Sequence, residues 1–72
     1  MAHNVISPIA GRVIQLLVKP GQTVAADTDV AIVESMKMHI PVAAEQAGRV
    51  ASWLVGEDSP VDEGQTLLTL DT

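Results

Sequence analysis

Short runs of apolar residues, separated by residues that favour turns, recur along the whole chain. The runs are rich in valine, isoleucine and leucine, and each is long enough for a single strand only. No window shows the sustained period of about 3.6 residues that an amphipathic helix requires. We therefore predict an all-β sandwich or small barrel. The predicted strands cover residues 3–6, 12–18, 30–35, 40–43, 48–55 and 65–71, with isolated apolar positions at Val24 and Val61.

The order of these runs repeats once along the chain. The sequence Ala-Gly-Arg-Val over residues 10–13 recurs over residues 47–50, an offset of 37 positions (47 − 10 = 37). When the sequence is aligned with itself at this offset and without gaps, residues 2–35 and 39–72 are two copies of one unit. Two halves that pair face to face have a pseudo-twofold axis between them. The duplication therefore predicts that the two ends of the chain lie together, opposite the segment that joins the copies.

The segment that joins the copies is Met36-Lys37-Met38. It separates an apolar run that includes Val33 from one that starts at Ile40, and so short a connection predicts a β-hairpin. Tight hairpins favour Asn-Gly because both central residues adopt positive φ, and nothing in this segment suits that geometry. A disfavoured turn between well-formed strands indicates a functional site. A hairpin-tip lysine alone is most often solvated surface, but two exposed methionines bury nothing unless a partner docks on them.

The hairpin and its flank carry a specific motif. Glu34-Ser35-Met36-Lys37-Met38 resembles the modification motif of biotinyl domains, the biotin carboxyl carrier family of biotin/lipoyl attachment domains. The resemblance implies that Lys37 carries covalent biotin in amide linkage. It also implies that Glu34, Ser35, Met36 and Met38 take part in recognition by a biotin protein ligase and by other partners.

The resemblance extends over essentially all 72 residues. Residues 7–11 resemble the opening segment of the family, and residues 21–24 and 63–67 resemble its turn segments. It implies one biotinyl domain over residues 1–72, folded as a flattened barrel or sandwich of two four-stranded antiparallel sheets with the modified lysine at a hairpin tip. The initial methionine and the close limits of the repeat favour a stand-alone protein.

The function that the resemblance implies is not catalytic. A biotin carrier of this kind shuttles a carboxyl group from a biotin carboxylase to a carboxyltransferase within a biotin-dependent carboxylase. The cofactor supplies the chemistry and the protein supplies its presentation. The implied partners are the biotin protein ligase and the two carboxylase components, and we expect the carrier to be monomeric by itself.

Two other functions stay open from the sequence. A lipoyl carrier shares the fold and also modifies a hairpin-tip lysine, although it typically has an acidic residue where Met36 stands here. An unmodified β-sandwich interaction module predicts no modification and leaves the exposed methionines unexplained. The methionine before Lys37 favours biotin over lipoyl.

Composition narrows the classes of function further. A length of 72 residues is close to the lower limit for a self-sufficient core. A net charge of −5 argues against binding to nucleic acid or to an anionic membrane surface. The absence of cysteine and the separation of His3 from His39 by 36 positions (39 − 3 = 36) argue against a metal site. The sequence contains no secretory signal and no membrane-length apolar stretch, so we expect a cytoplasmic location.

Two side chains outside the motif have structural interpretations. Lys19 lies in a Pro-Gly turn, where a solvated surface lysine is expected. Gln15 is in phase with Val13 along its strand, and we expect their shared face to point outward. Trp53 belongs to the opposite face of the equivalent strand in the second copy, which places it in or beside the core.

Overall fold

The computed structural model describes residues 2–72, which form eight β-strands and contain no helix. The strands are β1 (Ala2–Ile6), β2 (Gly11–Leu16), β3 (Thr23–Val24), β4 (Asp29–Ser35), β5 (Met38–Ala43), β6 (Gly48–Trp53), β7 (Pro60–Val61) and β8 (Thr66–Asp71). The predicted strands are all present, and the two isolated apolar positions lie in the short strands β3 and β7. No helix in this range is long and apolar enough to cross a membrane.

The strands form two four-stranded antiparallel sheets. One sheet has the order β1-β8-β6-β3 and the other has the order β5-β4-β2-β7. Each sheet keeps two edge strands, so the hydrogen-bond ladder does not close. The predicted all-β architecture of two four-stranded sheets is confirmed, as an open sandwich and not as a closed barrel.

The internal repeat of the sequence is also a repeat of the fold. A shift of 37 residues carries β1 to β4 onto β5 to β8, since β2 starts at Gly11 and β6 at Gly48 (48 − 11 = 37). The same correspondence converts the order β1-β8-β6-β3 into β5-β4-β2-β7. The two sheets are therefore exchanged by the pseudo-twofold relation that the sequence predicts.

The core lies between the sheets and consists of aliphatic side chains only. Valine dominates it, as expected for strands whose branched side chains pack on a pleated surface. Ser7 is the one buried polar residue among residues 2–72, and its hydroxyl donates a hydrogen bond to the Ile9 carbonyl oxygen at 2.6 Å. The buried apolar residues are Val5, Val13, Val18, Val24, Val30, Ala31, Val33, Val42, Ala44, Val50, Val61, Leu67, Leu68 and Leu70.

A β-bulge in β2 makes the predicted orientation of Val13 wrong. Val13 is fully buried, whereas Gln15 is exposed. The strand register advances from Val13 opposite Val33 to Gln15 opposite Ile32, so one extra residue is inserted between them and reverses the alternation.

The prediction for Trp53 is nevertheless confirmed. Its side chain packs against the core, and its indole Nε1 donates a hydrogen bond to a backbone carbonyl oxygen at 3.0 Å.

Strand directions place the β4–β5 hairpin and the ends of the described chain at opposite ends of the molecule. Strand β7 runs antiparallel to β2 and therefore towards the end at which Arg12 pairs with Glu34, next to the hairpin. A tight turn over residues 62–65 follows, closed by a backbone hydrogen bond of 3.0 Å, and β8 then runs back to the far end. There Asp71 pairs with Ala2. This arrangement agrees with the prediction from the duplication.

Gly11 allows β2 to lie close to the strand that leads into the hairpin. A Cβ atom at this position would overlap the backbone carbonyl oxygen of Glu34. Because a backbone atom of a central strand cannot move aside cheaply, we expect Gly11→Ala to lower the free energy of unfolding by about 1–3 kcal/mol. Urea denaturation followed by circular dichroism measures this change.

Gly56 provides the matched control for this substitution. A Cβ atom there would meet only the Ser59 hydroxyl oxygen at 3.8 Å, which is an ordinary contact. Gly56→Ala should therefore leave stability unchanged or raise it by up to about 1 kcal/mol, through the reduced entropy of the unfolded chain. Equal effects of the two substitutions would contradict the close approach of β2 to Glu34.

Candidate functional site

The predicted hairpin joins β4 to β5 through only two residues. Ser35 and Met38 face each other as the last pair of the ladder. Met36 has a φ of 53° and Lys37 a φ of 65°. This is the left-handed backbone that a two-residue type I′ hairpin requires at both central positions. The turn therefore has the geometry that glycine or asparagine normally supplies, but it is built from methionine and lysine.

The left-handed turn stores a conformational cost next to Lys37. A left-handed conformation costs an ordinary L-residue roughly 1–2 kcal/mol. Of the four non-glycine residues with positive φ among residues 2–72, two are adjacent here. The flanking strands hold the turn, because β4 is paired on both sides, with β2 and β5. The sheet thus fixes the position of the base of the Lys37 side chain.

Removing part of this strain should stabilise the protein. Asparagine tolerates left-handed backbone better than methionine does, so we expect Met36→Asn to raise the free energy of unfolding by about 0.5–1 kcal/mol. Met38→Asn is the control, since Met38 lies in β5 and has no positive φ. Asparagine is unfavourable in a strand, and no gain is expected there. Urea midpoints compare the two variants, and a loss of stability in Met36→Asn would argue against strain in the turn.

The side chains at the tip project into solvent. Met36 is 90% exposed and Met38 is 64% exposed, and Lys37 between them is exposed as well. The Lys37 amine makes no hydrogen bond or ion pair with another residue in the described part of the chain. The tip therefore offers an accessible primary amine with an apolar, flexible side chain on each side.

Glu34 lies below the tip on the outer face of the sheet. One of its carboxylate oxygens is 3.5 Å from the Arg12 guanidinium on β2, and the other is 3.5 Å from His39 Nε2 on β5. Both partners are its cross-strand neighbours. All three side chains are more than a third exposed, so these contacts orient the groups but contribute little to stability.

The five residues of the predicted motif thus lie together on one hairpin. Glu34 and Ser35 end β4, Met36 and Lys37 form the turn, and Met38 begins β5. Arg12 was not among the predicted site residues, but the register of β2 brings it beside Glu34. The same pairing occurs in the second copy, where the equivalent residues Arg49 and Asp71 are also cross-strand partners.

Residues 2–72 contain no enclosed cavity and no group of three metal-ligating side chains. The second lysine, Lys19, is also exposed, but it lies in a turn that follows β2. Its backbone is held by Gln22, whose side-chain oxygen accepts a hydrogen bond from the Lys19 amide at 3.2 Å. Lys19 has no exposed methionine beside it in the sequence and no positive φ. Of the two lysines, only Lys37 lies in a projecting hairpin.

Comparison with known proteins gives a consistent result over nearly the whole chain. A family model described as "Biotin-requiring enzyme" matches residues 3–70. A biotin/lipoyl attachment protein of Bacillus subtilis is 40% identical over 62 residues, which are 86% of this chain and 85% of that protein. A biotin carboxyl carrier protein of Streptococcus mutans is 32% identical over 69 residues, which are 96% of this chain and 53% of that protein.

Solved structures show the same fold within much longer chains. The urea carboxylase of Kluyveromyces lactis superimposes with a TM-score of 0.92 at 27% identity. The superposition covers 99% of this chain and 6% of the carboxylase. The chain therefore spans about half the length of the streptococcal protein and a small part of the urea carboxylase.

Proposed function

The chain belongs to the biotin/lipoyl family of biotin-requiring enzymes, and from this premise we propose that it is a biotin carrier whose cofactor is attached to the Nζ atom of Lys37. The observation that carries the proposal is the position of this lysine. Lys37 lies in the turn of a projecting hairpin, with left-handed backbone and with exposed methionines on both sides. The domain itself is not an enzyme in this proposal, and its role is to present the cofactor.

The residues present fit covalent attachment of biotin. An amide bond needs a free primary amine that an enzyme can surround, and the exposed Lys37 side chain provides one. The amine has to lose a proton before it attacks an activated acyl group. The nearest carboxylate in sequence, that of Glu34, is already engaged by Arg12 and His39. We therefore assign the base for this step to the biotin protein ligase.

When attached, biotin supplies a ring that accepts and gives up a carboxyl group, and the chain supplies its position. The left-handed turn and the paired strands hold the base of the Lys37 side chain in a fixed place. The long side chain beyond it is flexible. Tethering of this kind raises the effective concentration of the reactive group at each site that the domain visits. The ends of the described chain lie away from the tip, so attachments there leave Lys37 accessible.

The partners that we propose follow from the relatives. A part of the urea carboxylase has the same fold as this chain, and the streptococcal relative is named as a biotin carboxyl carrier protein. We propose that this chain serves a biotin carboxylase and a carboxyltransferase in turn, after modification by a biotin protein ligase. The proposed location is the cytoplasm, and the proposed state of the isolated carrier is a monomer.

Intact mass spectrometry of the protein purified from its own host tests this proposal. The expected result is a mass increase equal to one biotinyl group, with fragmentation placing the group on Lys37. A lipoyl group would replace the proposal by the lipoyl alternative. An unmodified mass after incubation with biotin, ATP and a biotin protein ligase would support an interaction module instead.

A further inference from the structure

The sulfur atoms in residues 2–72 all lie beside Lys37. The chain has no cysteine, and the only methionines in this range are Met36 and Met38. None of the fourteen residues of the buried core is a methionine, although methionine is a common filler of irregular gaps in cores. The described chain therefore combines a core without sulfur with a hairpin tip that has a thioether on each side of the amine.

Both thioethers are open to oxidants in solution. Met36 is 90% exposed and Met38 is 64% exposed, whereas the aliphatic core is shielded from solvent. Exposed methionine is converted by oxidation to its sulfoxide, a polar and chiral side chain, and reductases reverse the change. No thiol elsewhere in the chain competes for the oxidant, because the chain contains none.

We propose that Met36 and Met38 form a reversible oxidation site that controls recognition of Lys37 by the biotin protein ligase. The inference rests on the proposed function and adds a regulatory modification to it. The oxidant is a hydroperoxide, which transfers its terminal oxygen to the sulfur lone pair. The O–O bond breaks and an S–O bond forms, so the sulfur loses two electrons and the hydroperoxide is reduced to an alcohol or to water. A reductase with two thiols reverses the step, releasing water and forming a disulfide.

Oxidation should weaken recognition because it makes the side chains of Met36 and Met38 polar at the surface that the ligase contacts. A flexible apolar side chain at an exposed tip is available to a partner that covers it. A sulfoxide oxygen covered in the same way loses its hydrogen bonds with water. We expect the loss in kcat/KM for biotin incorporation to be about five- to hundredfold.

The fold itself should not respond to this oxidation. Met36 lies in the turn, and Met38 is the first residue of β5, on an edge strand. Neither belongs to the core, so conversion to sulfoxides removes little packing. The effect on the ligase is therefore separable from an effect on stability, as it would not be for a methionine in the core.

The experiment treats the folded carrier, without biotin, with dilute hydrogen peroxide and removes the peroxide before the ligase is added. Mass mapping follows the oxidation of each methionine, and circular dichroism follows the fold. Initial rates of biotin incorporation are compared for treated and untreated protein. A third sample is treated with peroxide and then with methionine sulfoxide reductases of both stereospecificities. The control is the double variant Met36→Leu/Met38→Leu, which keeps apolar side chains but cannot form sulfoxides at the tip.

The expected result has three parts. Oxidised wild type loses at least about fivefold in kcat/KM, the reductases restore the rate, and the ratio of treated to untreated rates for the double variant stays near one. Equal rates before and after oxidation of Met36 and Met38 would overturn the inference and leave the carrier function intact. An equal loss in the double variant would also overturn it, by placing the sensitive group elsewhere. Absence of biotin from the untreated wild type would overturn the proposed function and the inference together.

Discussion

Lys37→Arg is expected to abolish biotin incorporation and to leave the fold unchanged. The guanidinium group does not form the amide bond under conditions in which a lysine amine does, so no modified protein should appear. The side chain is solvated and makes no hydrogen bond or ion pair within residues 2–72. Substitutions at such surface positions usually change the free energy of unfolding by less than about 0.5 kcal/mol. Streptavidin binding and intact mass after incubation with ligase, biotin and ATP measure the result.

Lys19→Arg is the matched control, since Lys19 is the only other lysine of the chain. It is also exposed, but it lies in the turn after β2, outside the hairpin. We expect one biotin on Lys19→Arg and on the wild type. Biotin on the Lys37→Arg protein would show that another amine is used, and the assignment of the attachment site would be wrong.

The architecture could be predicted from the sequence because the evidence for it is distributed over the whole chain. The 37-residue offset holds for every strand, and it also holds for the order of strands in the two sheets. The hairpin was predictable for a related reason, since Val33 and Ile40 are separated by too few residues for any other connection. Patterns of this kind depend on many positions, so no single residue decides them.

The parts that sequence analysis missed are decided at single residues. Ile14 is inserted as a bulge, and this one residue reverses the faces of Val13 and Gln15. Nothing in the side chains of a Val-Ile-Gln segment distinguishes a bulge from regular alternation, because the distinction lies in the pairing with β4. The contact of Arg12 with Glu34 was missed for the same reason, since it depends on the register between two strands that are distant in sequence.

The sequence alone shows that the residues at the hairpin tip are poorly suited to a tight turn, but it does not show which backbone conformation they adopt. The sequence shows that Met36 and Lys37 are poor residues for a tight hairpin, and the structure shows that both adopt positive φ there. Local preference is overridden because β4 is paired on both sides and β5 is paired to it along six positions. Two adjacent residues that both break this rule within a regular fold are typical of a functional site.

Exchanging the lysine with the methionine that follows it, Lys37→Met/Met38→Lys, is expected to abolish biotin incorporation although the composition is unchanged. The exchange moves the amine from the left-handed turn to the first residue of β5. One step along a strand displaces the base of the side chain by about 3.3 Å and turns it to a different face. Attack on an acyl carbon needs the amine at about 3–3.5 Å, and a misplacement of about 1 Å can cost on the order of a hundredfold in rate.

This exchange changes the position of the amine on the hairpin but leaves the amine accessible to an enzyme. Position 38 is 64% exposed in the wild type, so a lysine there can still be reached by an enzyme. Position 37 keeps an ordinary L-residue with positive φ, so the strain of the turn is similar and the fold should be retained. Initial rates of incorporation into the two folded proteins are to be compared, with circular dichroism and urea denaturation as controls. Comparable rates would mean that the ligase recognises the Met-Lys-Met segment only loosely and does not need the amine at position 37. A loss of incorporation in a protein of unchanged stability would show that the ligase recognises the position at which the hairpin holds the amine.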